Sequence, residues 1–377
     1  MTLRWDRCLV HMDERVKAFA ETYFSSEKKR ALIVLGAGFD PRSVAIVSLL
    51  AGVMGERLLA LVIREERGAD QNAELRTQAD NNEKRIRELV PNTTVSEVQI
   101  FTPDEAVIAG QRMVACLQAQ PFDDVLTDIV LDTSAMSIGV AFPAARYILD
   151  KCHERGSALN FHLMIASNPE LDAHIHGEPS DRTSIVKGYN GNFGQTGDDE
   201  VASLWLPQLS PRNGTALAKL RNEQDYYKIC PILPFPSRNP RQSDDLMGEY
   251  VTELLEGWSV GPRDMIYTSE RNPVDLYRTL SLLKERFERT VHGHYTSQIV
   301  VSPLGSKVMA AGAMMAALEH DLTVKYVEAL RYDFASQRAE MTNAPDLLVH
   351  VWLHGYVYDG IAQGESVIAK TASANSS

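Results

Sequence analysis

The sequence predicts an α/β protein built from two tandem, doubly wound and mostly parallel sheets. Short apolar segments of strand length alternate with helical segments along the chain, which is typical of a parallel sheet with helices on both faces. The order of these segments, together with the turns that follow them, recurs in the second half of the chain. We therefore expect two similar units.

Composition sets limits on the function. The 377 residues suffice for two ordinary domains, and 44% hydrophobic with 23% charged residues is typical of a globular protein. A net charge of −12 argues against direct nucleic-acid binding. The N-terminus carries no apolar signal segment, and the most apolar region, 46–63, is interrupted by Glu56 and Arg57. Four scattered cysteines suit a reducing compartment. We predict a cytoplasmic protein without a membrane segment.

The first half shows the alternation in order. It opens with a predicted helix over 1–27, and a strand starting at Ala31 then runs into a glycine turn. The further predicted strands are at 58–63, 95–101, 125–131 and 160–165. The intervening helices are predicted at 44–53, 72–89, 103–118, where Thr102 and Pro103 form a good helix start, and from Ser137 to about 153.

Residues 167–222 interrupt the alternation, because glycine, proline, asparagine and aspartate dominate much of this stretch. We predict that it is a connecting loop or a flap over a site. Strands are expected again at 227–233, 264–268, 299–301, 323–327 and 347–353, with helices at 245–258, 276–290 and after Lys307. The predicted organisation is an N-terminal domain (1–166), the connection (167–222), a C-terminal domain (223–363) and a disordered tail (364–377).

Two pairs of turns indicate an internal duplication. Pro41-Arg42 follows the first strand of the first half, and Pro240-Arg241 follows the first predicted strand of the second half. The late strands end in the serine-containing turns 132–137 and 302–307, and each turn leads into an apolar helix. We therefore expect two Rossmann-like units related by a pseudo-two-fold axis, with the four turns facing a shared cleft.

The turn 302–307 is the first candidate site. It joins a buried strand to an Ala- and Met-rich helix, and such positions bind anions through free N–H groups and the helix dipole. Ser302 and Ser306 offer hydroxyls, Gly305 allows close approach of the backbone, and Lys307 offers a positive charge. The alternative is an ordinary strand–helix turn with a solvated lysine.

The second candidate site is the glycine loop after the first strand. Gly36 and Gly38 form a G-x-G pattern that lacks the third glycine of a dinucleotide fingerprint. With Asp40 and Arg42, the loop over 31–43 resembles the first motif of S-adenosylmethionine methyltransferases of the leucine-carboxyl type. That resemblance implies S-adenosylmethionine as cofactor, with Glu65 as the acidic residue at the end of the second strand.

The late motif of the second half resembles another family. The turn with Ser302, Gly305, Ser306 and Lys307, the small-residue helix and the strand that follows are similar to CRISPR-associated Rossmann-fold (CARF/SAVED-like) sensor domains. The resemblance implies binding of a nucleotide second messenger across paired domains, as in anti-phage signalling. Pro303 and Leu304 depart from the Thr-Gly pair of that family.

Further polar residues follow predicted strand ends. Arg42, Arg241 and Arg271 could bind phosphate, since guanidinium groups match phosphate geometry, although arginine beside proline is also ordinary at a surface. Asp132 and Glu270 could orient ribose hydroxyls, act as general bases or cap helices, and Ser134 is a further ligand-binding candidate. Neither of the two His-x-His pairs has the further ligands of a zinc site, so no metal is predicted.

The functional hypothesis is a regulatory sensor that binds a phosphate-bearing small molecule, such as a nucleotide, at strand ends between the halves. Such a sensor would act through a partner protein or by forming a homo-oligomer. An enzyme that uses S-adenosylmethionine or a nucleotide for methyl transfer or hydrolysis is the alternative. A non-catalytic scaffold subunit is a third possibility.

Overall fold

The computed structural model describes residues 3–68, 72–172, 174–192, 200–334 and 345–359. Within these ranges the strands are β1 (Val10–Met12), β2 (Ala31–Gly36), β3 (Leu58–Glu66), β4 (Thr93–Gln99), β5 (Asp128–Asp132), β6 (Asn160–Ser167), β7 (Ile175–Ile185), β8 (Val201–Pro207), β9 (Lys228–Ile229), β10 (Ile232–Pro234), β11 (Ile266–Thr268), β12 (Thr296–Ser302), β13 (Thr323–Phe334) and β14 (Leu347–His354). The α-helices are α1 (Glu14–Tyr23), α2 (Ala45–Met54), α3 (Ala73–Leu89), α4 (Ala109–Gln118), α5 (Ile138–Arg155), α6 (Pro169–Asp172), α7 (Gly214–Asn222), α8 (Gln242–Glu249), α9 (Pro273–Val291) and α10 (Lys307–His320). None of the helices in these ranges is long and apolar enough to span a membrane.

The first sheet has the order β4-β3-β2-β5-β6-β14-β1 in the described part of the chain. Its five strands from β4 to β6 are parallel, and numbered along the chain they follow the order 3-2-1-4-5 of a Rossmann-like sheet. β14 pairs antiparallel with β6, and β1 pairs antiparallel with β14. The central strands β2 and β5 are buried along their whole length, as expected for a sheet covered on both faces.

The second sheet repeats this order. β13, β12, β8 and the short β9 are parallel neighbours among the described strands, and just beyond β8 an isolated bridge joins Gln208 to Ile232 of β10, where Leu209 N–H donates to the carbonyl of Ile232 at 2.9 Å. β11 pairs in parallel with β10 in a separate two-stranded ladder, and with the short β9 left aside the parallel strands of this unit again follow the order 3-2-1-4-5. β7 pairs antiparallel with β13, in the place that β14 takes beside β6. The protein is therefore an α/β protein with two Rossmann-like, mainly parallel sheets.

The protein consists of two units, each formed by one sheet and the helices that cover it, and the two units exchange their last strands. β7 follows β6 along the chain but pairs with β13 of the other unit, whereas β14 follows β13 but pairs with β6. One apolar cluster contains residues from β2 and β3, from β8 and β12, and from α5, α9 and α10. Each sheet is thus completed by a strand from the other half, and the two units share a core.

The structure corrects several predicted elements. The stretch 167–222, predicted as a loop or flap, contains β7, β8 and α7, and β8 is the first strand of the second unit. β7 is absent from the predicted strands because it is a polar edge strand, paired in the described part of the chain with β13 alone, and its sequence lacks an apolar alternation. The predicted strand 227–233 consists of the short β9 and β10.

Three other predictions concern the N-terminal helix, the helix expected from Pro103 and the domain limits. The N-terminal helix is confined to α1 and is preceded by β1. The helix expected from Pro103 begins only at Ala109, since the Thr102 hydroxyl accepts a hydrogen bond from Ala106 N–H in a local turn. The domain limits stay a prediction, and the tail 364–377 lies outside the described residues.

Candidate functional site

A cavity of about 160 Å³ lies at the carboxyl ends of β2 and β3. This is the end of a parallel sheet where ligands bind in open α/β folds. Most of the lining comes from the first unit, and the second unit adds Lys307 and Tyr332. The lining residues are Ala37, Gly38, Phe39, Asp40, Arg42, Ile63, Arg64, Glu65, Glu66, Arg67, Asn72, Leu75, Ala79, Ala135, Met136, Ser137, Asp172, Ile175, Lys307 and Tyr332.

The two glycines of the loop after β2 have different roles. A Cβ atom at Gly36 would lie 2.6 Å from the carbonyl oxygen of Ala135, so this position must be glycine for the β5–α5 turn to approach. A Cβ atom at Gly38 would have no protein atom within 4 Å. Since Gly38 lines the cavity, its missing side chain leaves room there for a ligand.

Arg42 is buried beneath the loop between two carboxylates. Its Nη2 atom lies 2.7 Å from Asp40 Oδ2 and 2.7 Å from Asp172 Oδ1, and its side chain is 1% exposed. Burial alone would lower the pKa of Arg42, but the two carboxylates outweigh burial and raise it. The Nη1 atom of Arg42 and the Oδ2 atom of Asp172 are buried without a hydrogen-bond partner among the described residues. These atoms form a donor and an acceptor that a ligand could satisfy.

Glu65, at the end of β3, lies beside a second buried ion network. Its Oε1 atom accepts a hydrogen bond from Ser137 N–H at 2.7 Å, and its Oε2 atom pairs with Arg67 at 2.7 Å. Arg67 also pairs with Glu328 of β13 at 2.8 Å, and its guanidinium lies 4.9 Å from the ring centre of Tyr332. Arg67 therefore joins the end of β3 to the second unit.

Lys307 enters the cavity from the start of α10. Its ammonium donates to the carbonyl oxygen of Met136 in the β5–α5 turn, because α5 and α10 pack against each other with neighbouring N-termini. Among the cations that line the cavity in the described part of the chain, only Lys307 makes no ion pair. Burial, together with the nearby charge of Arg42, lowers the pKa of Lys307.

Asp132 and Ser134 lie below the cavity and do not line it. Ser134 donates to Asp132 Oδ1 through its N–H at 2.9 Å and also through its hydroxyl, and the hydroxyl oxygen accepts from Ala166 N–H at 2.7 Å. Burial raises the pKa of Asp132 to about 7. Both residues hold the β5–α5 turn in place.

The predicted anion site in the turn 302–307 is filled by the protein itself. Ser302 accepts from the Trp205 indole N–H at 2.9 Å, and Ser306 caps α10 by accepting from Met309 N–H at 3.3 Å. The side chain of Gln208 accepts from Gly305 N–H at 3.1 Å and is fully buried. Of the four residues predicted there, only Lys307 lines the cavity.

The internal repeat explains why the second unit is closed. Pro41-Arg42 after β2 corresponds to Pro211-Arg212 after β8, whereas the sequence comparison paired it with Pro240-Arg241 because β8 had not been recognised. With the two prolines aligned, Gln208 stands where the first unit has Gly38. A side chain thus fills the second unit where the first unit has an open glycine.

The remaining predicted residues lie away from the cavity. Arg241 is exposed at the start of α8. Glu270 is buried and accepts from Arg238 N–H at 3.1 Å, while Arg271 pairs with Asp13 at 3.0 Å. These three residues do not converge with Gly38, Asp40 and Arg42. Within the described residues no group of three or more His, Cys, Asp or Glu side chains could hold a metal ion.

The lining residues that sequence reasoning missed include Arg67, Asp172 and Tyr332. Arg67 directly follows the Glu65-Glu66 pair at the end of β3, and this position at a strand end was a usable signal. Asp172 and Tyr332 come from α6 and β13, and nothing in their local sequence points to the cavity.

Comparisons with known proteins are weak. The sequence matches no protein-family model and no curated protein. Among solved structures, the METTL16 methyltransferase domain is similar with a TM-score of 0.22 and 13% identity, over 45% of this chain and 57% of that one. A putative universal stress protein from Pseudomonas aeruginosa UCBPP-PA14 is similar with a TM-score of 0.24 and 8% identity, over 79% of this chain and 92% of that one. At these scores neither similarity bears on function.

Proposed function

We propose that the chain binds a nucleoside-derived small molecule at the carboxyl end of the first sheet, and that S-adenosylmethionine fits the lining best. The observation that carries this proposal is one cavity that combines an open glycine, a strand-end carboxylate and an unpaired buried donor and acceptor. S-adenosylmethionine is a methyl donor, so the activity implied is methyl transfer to an acceptor.

The nucleoside part of the ligand is supported by Gly38 and Glu65. A glycine after the first strand allows a ligand to approach the backbone, and an acidic residue near the end of the second strand can accept hydrogen bonds from ribose hydroxyls. Both residues line the cavity. Phe39, Leu75 and Ile175 add apolar surface suited to a base.

The charge of the lining favours a zwitterion over a polyphosphate. Four carboxylates (Asp40, Glu65, Glu66, Asp172) and four cations (Arg42, Arg64, Arg67, Lys307) line the cavity, so their formal charges cancel. A polyphosphate would meet as many carboxylates as cations. An amino-acid group instead could offer its carboxylate to Arg42 Nη1 and its ammonium to Asp172 Oδ2, the two buried atoms without a partner.

The nucleotide-sensor hypothesis remains a second candidate because of Lys307. This cation lines the cavity without an ion pair in the described part of the chain and could contact a phosphate. A sensor would then use the first-unit cavity instead of the turn 302–307. The pathway and partner of such a sensor stay open, and anti-phage defence rests only on the sequence resemblance.

Isothermal titration calorimetry can separate the two candidates. The ligands are S-adenosylmethionine, S-adenosylhomocysteine, ATP and a cyclic oligoadenylate, tested on the wild type, Gly38→Ala and Lys307→Met. Gly52→Ala is the matched control, since Gly52 is exposed in α2 and a Cβ there also contacts nothing within 4 Å.

We expect S-adenosylmethionine to bind the wild type and Gly52→Ala equally, and Gly38→Ala about tenfold more weakly, since a methyl group in the ligand's space costs about 1 kcal/mol or more. Equal affinity of Gly38→Ala, or no binding of either S-adenosyl ligand to the wild type, would overturn the proposal. Binding of only the cyclic oligoadenylate, lost in Lys307→Met, would support the sensor.

A further inference from the structure

Three histidines form a hydrogen-bonded chain that runs across neighbouring strands of the first sheet and ends at Asp128. His11 Nδ1 lies 2.9 Å from His350 Nδ1, His350 Nε2 lies 2.9 Å from His162 Nδ1, and His162 Nε2 lies 3.0 Å from Asp128 Oδ1. His162 and His350 are fully buried, whereas His11 is partly exposed. The chain therefore leads from the protein surface to a buried carboxylate.

The carboxylate determines where the protons lie when all three rings are neutral. Asp128 can only accept, so His162 carries its proton on Nε2 and accepts on Nδ1. His350 must then donate from Nε2 and accept on Nδ1, and His11 must donate from Nδ1. Every hydrogen bond is satisfied in this one arrangement, and each points towards Asp128.

Asp128, the carboxylate that would balance an additional proton on the chain, already has other partners. Asp128 is already paired with Lys29 at 3.4 Å, and it accepts a hydrogen bond from the Tyr23 hydroxyl at 2.7 Å. The ring of Phe19 stacks on His350 with ring centres 4.2 Å apart. The titratable and charged groups that face the chain from the packed elements are Arg15 and Tyr23 of α1, Lys29, Asp128 of β5 and Tyr356.

The chain joins the four strands at one edge of the sheet. His11 belongs to β1, His350 to β14, His162 to β6 and Asp128 to β5. β14 is the strand that the second unit contributes to the first sheet, and within the described residues β1 pairs with β14 alone. A charge on His350 would therefore lie between the exchanged strand and the sheet that it completes.

We propose that the His11–His350–His162 chain is an acid-sensitive latch that holds β1 and β14 on the first sheet and opens when its histidines are protonated. Burial lowers the pKa of His11 and His162, and burial together with the neighbouring histidines lowers that of His350 well below its usual range. The closed edge therefore keeps the rings neutral, whereas an opened edge lets them take up protons. The stability that the neutral histidines give to the closed edge is complete above pH 6.5 and is lost as the pH falls below it.

The expected size follows from the usual histidine pKa of about 6.5. At pH 5.5, each histidine that is neutral when closed and free when open raises the open population about tenfold. The two fully buried histidines together predict roughly a hundredfold change relative to pH 7.5.

Hydrogen exchange measured by mass spectrometry tests the latch without any ligand. Protection factors for peptides covering β1 and β14 are compared with those for β12 of the second sheet at pH 7.5 and 5.5, after correction for intrinsic exchange. The key variant is His350→Gln, whose amide can donate to His162 and accept from His11 but cannot be protonated. His162→Gln is the second variant, because its amide can donate to Asp128 and accept from His350, and the exposed His292→Gln is the control.

From pH 7.5 to 5.5, the protection factors of β1 and β14 in the wild type and His292→Gln should fall roughly a hundredfold relative to those of β12. In His350→Gln they should fall only about tenfold. If His350→Gln does not fold, His162→Gln should show the same smaller loss, since it also leaves one fully buried histidine in the chain. An equal loss in β12, an unchanged β14, or the full wild-type loss in these two variants would overturn the proposal.

Discussion

Replacing Gly36 by alanine should destabilise the protein, whereas replacing Gly38 should not, although both glycines lie in one loop. At Gly36 the new Cβ would lie 2.6 Å from the Ala135 carbonyl oxygen and 3.0 Å from Met136 Cγ. The first of these is a backbone atom, so the β5–α5 turn must move. Overpacking of this kind costs about 1–3 kcal/mol, partly offset by the lower entropy of the unfolded alanine chain. We expect Gly36→Ala to be destabilised by about 1–2 kcal/mol.

Gly38→Ala has no such contact, and neither glycine has a left-handed backbone conformation. Its free energy of unfolding should stay within about 0.5 kcal/mol of the wild type or rise slightly. Urea denaturation followed by circular dichroism measures both variants, with Gly52→Ala as the control. A Gly36→Ala protein as stable as the wild type, or a Gly38→Ala protein destabilised by more than about 1 kcal/mol, would refute the reasoning about this loop.

Three further predictions concern the elements around the cavity. Gln208→Ala should cost about 1–3 kcal/mol because Gly305 N–H loses its buried acceptor, without weakening ligand binding in the first unit; a stable variant in urea denaturation would contradict this. Arg67→Met should cost about 3–5 kcal/mol by leaving Glu328 buried and unpaired, and an unchanged urea midpoint would show that the network is dispensable. Asp132→Asn should stabilise the protein at pH 8. Burial raises the pKa of Asp132 to about 7, so the stability that the protonated carboxyl contributes is lost as the pH rises through that value. The gain should shrink towards pH 4 by roughly 1 kcal/mol per pH unit, and a gain independent of pH would exclude the buried charge as its cause.

Much of the fold could be predicted from the alternation of apolar strands and helices. β2 and β5 consist of buried residues, β3 is buried over most of its apolar part, and helices follow each of them, a local pattern typical of a central parallel sheet. The exchange of β7 and β14 could not be predicted, because strand pairing between distant segments leaves no periodic signal. β7 is the clearest example, since its polar sequence was interpreted as a loop.

The candidate site was predictable where a local motif carries the geometry. The loop from Gly36 to Arg42 lies at the cavity because the turn after the first strand is formed by neighbouring residues. The position of Lys307 depends instead on the packing of α10 against α5. Ser302 and Gly305 were expected to be open, but Trp205 and Gln208 from β8 and the residue after it contact them. Such contacts depend on tertiary packing and cannot be inferred from the turn alone.

The most direct test of the central claim is a crystal structure of the chain with S-adenosylhomocysteine. The account predicts the nucleoside beside Gly38 with its ribose hydroxyls on Glu65, and the amino-acid group between Arg42 and Asp172. A ligand bound elsewhere, such as at the turn 302–307, or a cavity that stays empty at saturating ligand would contradict it.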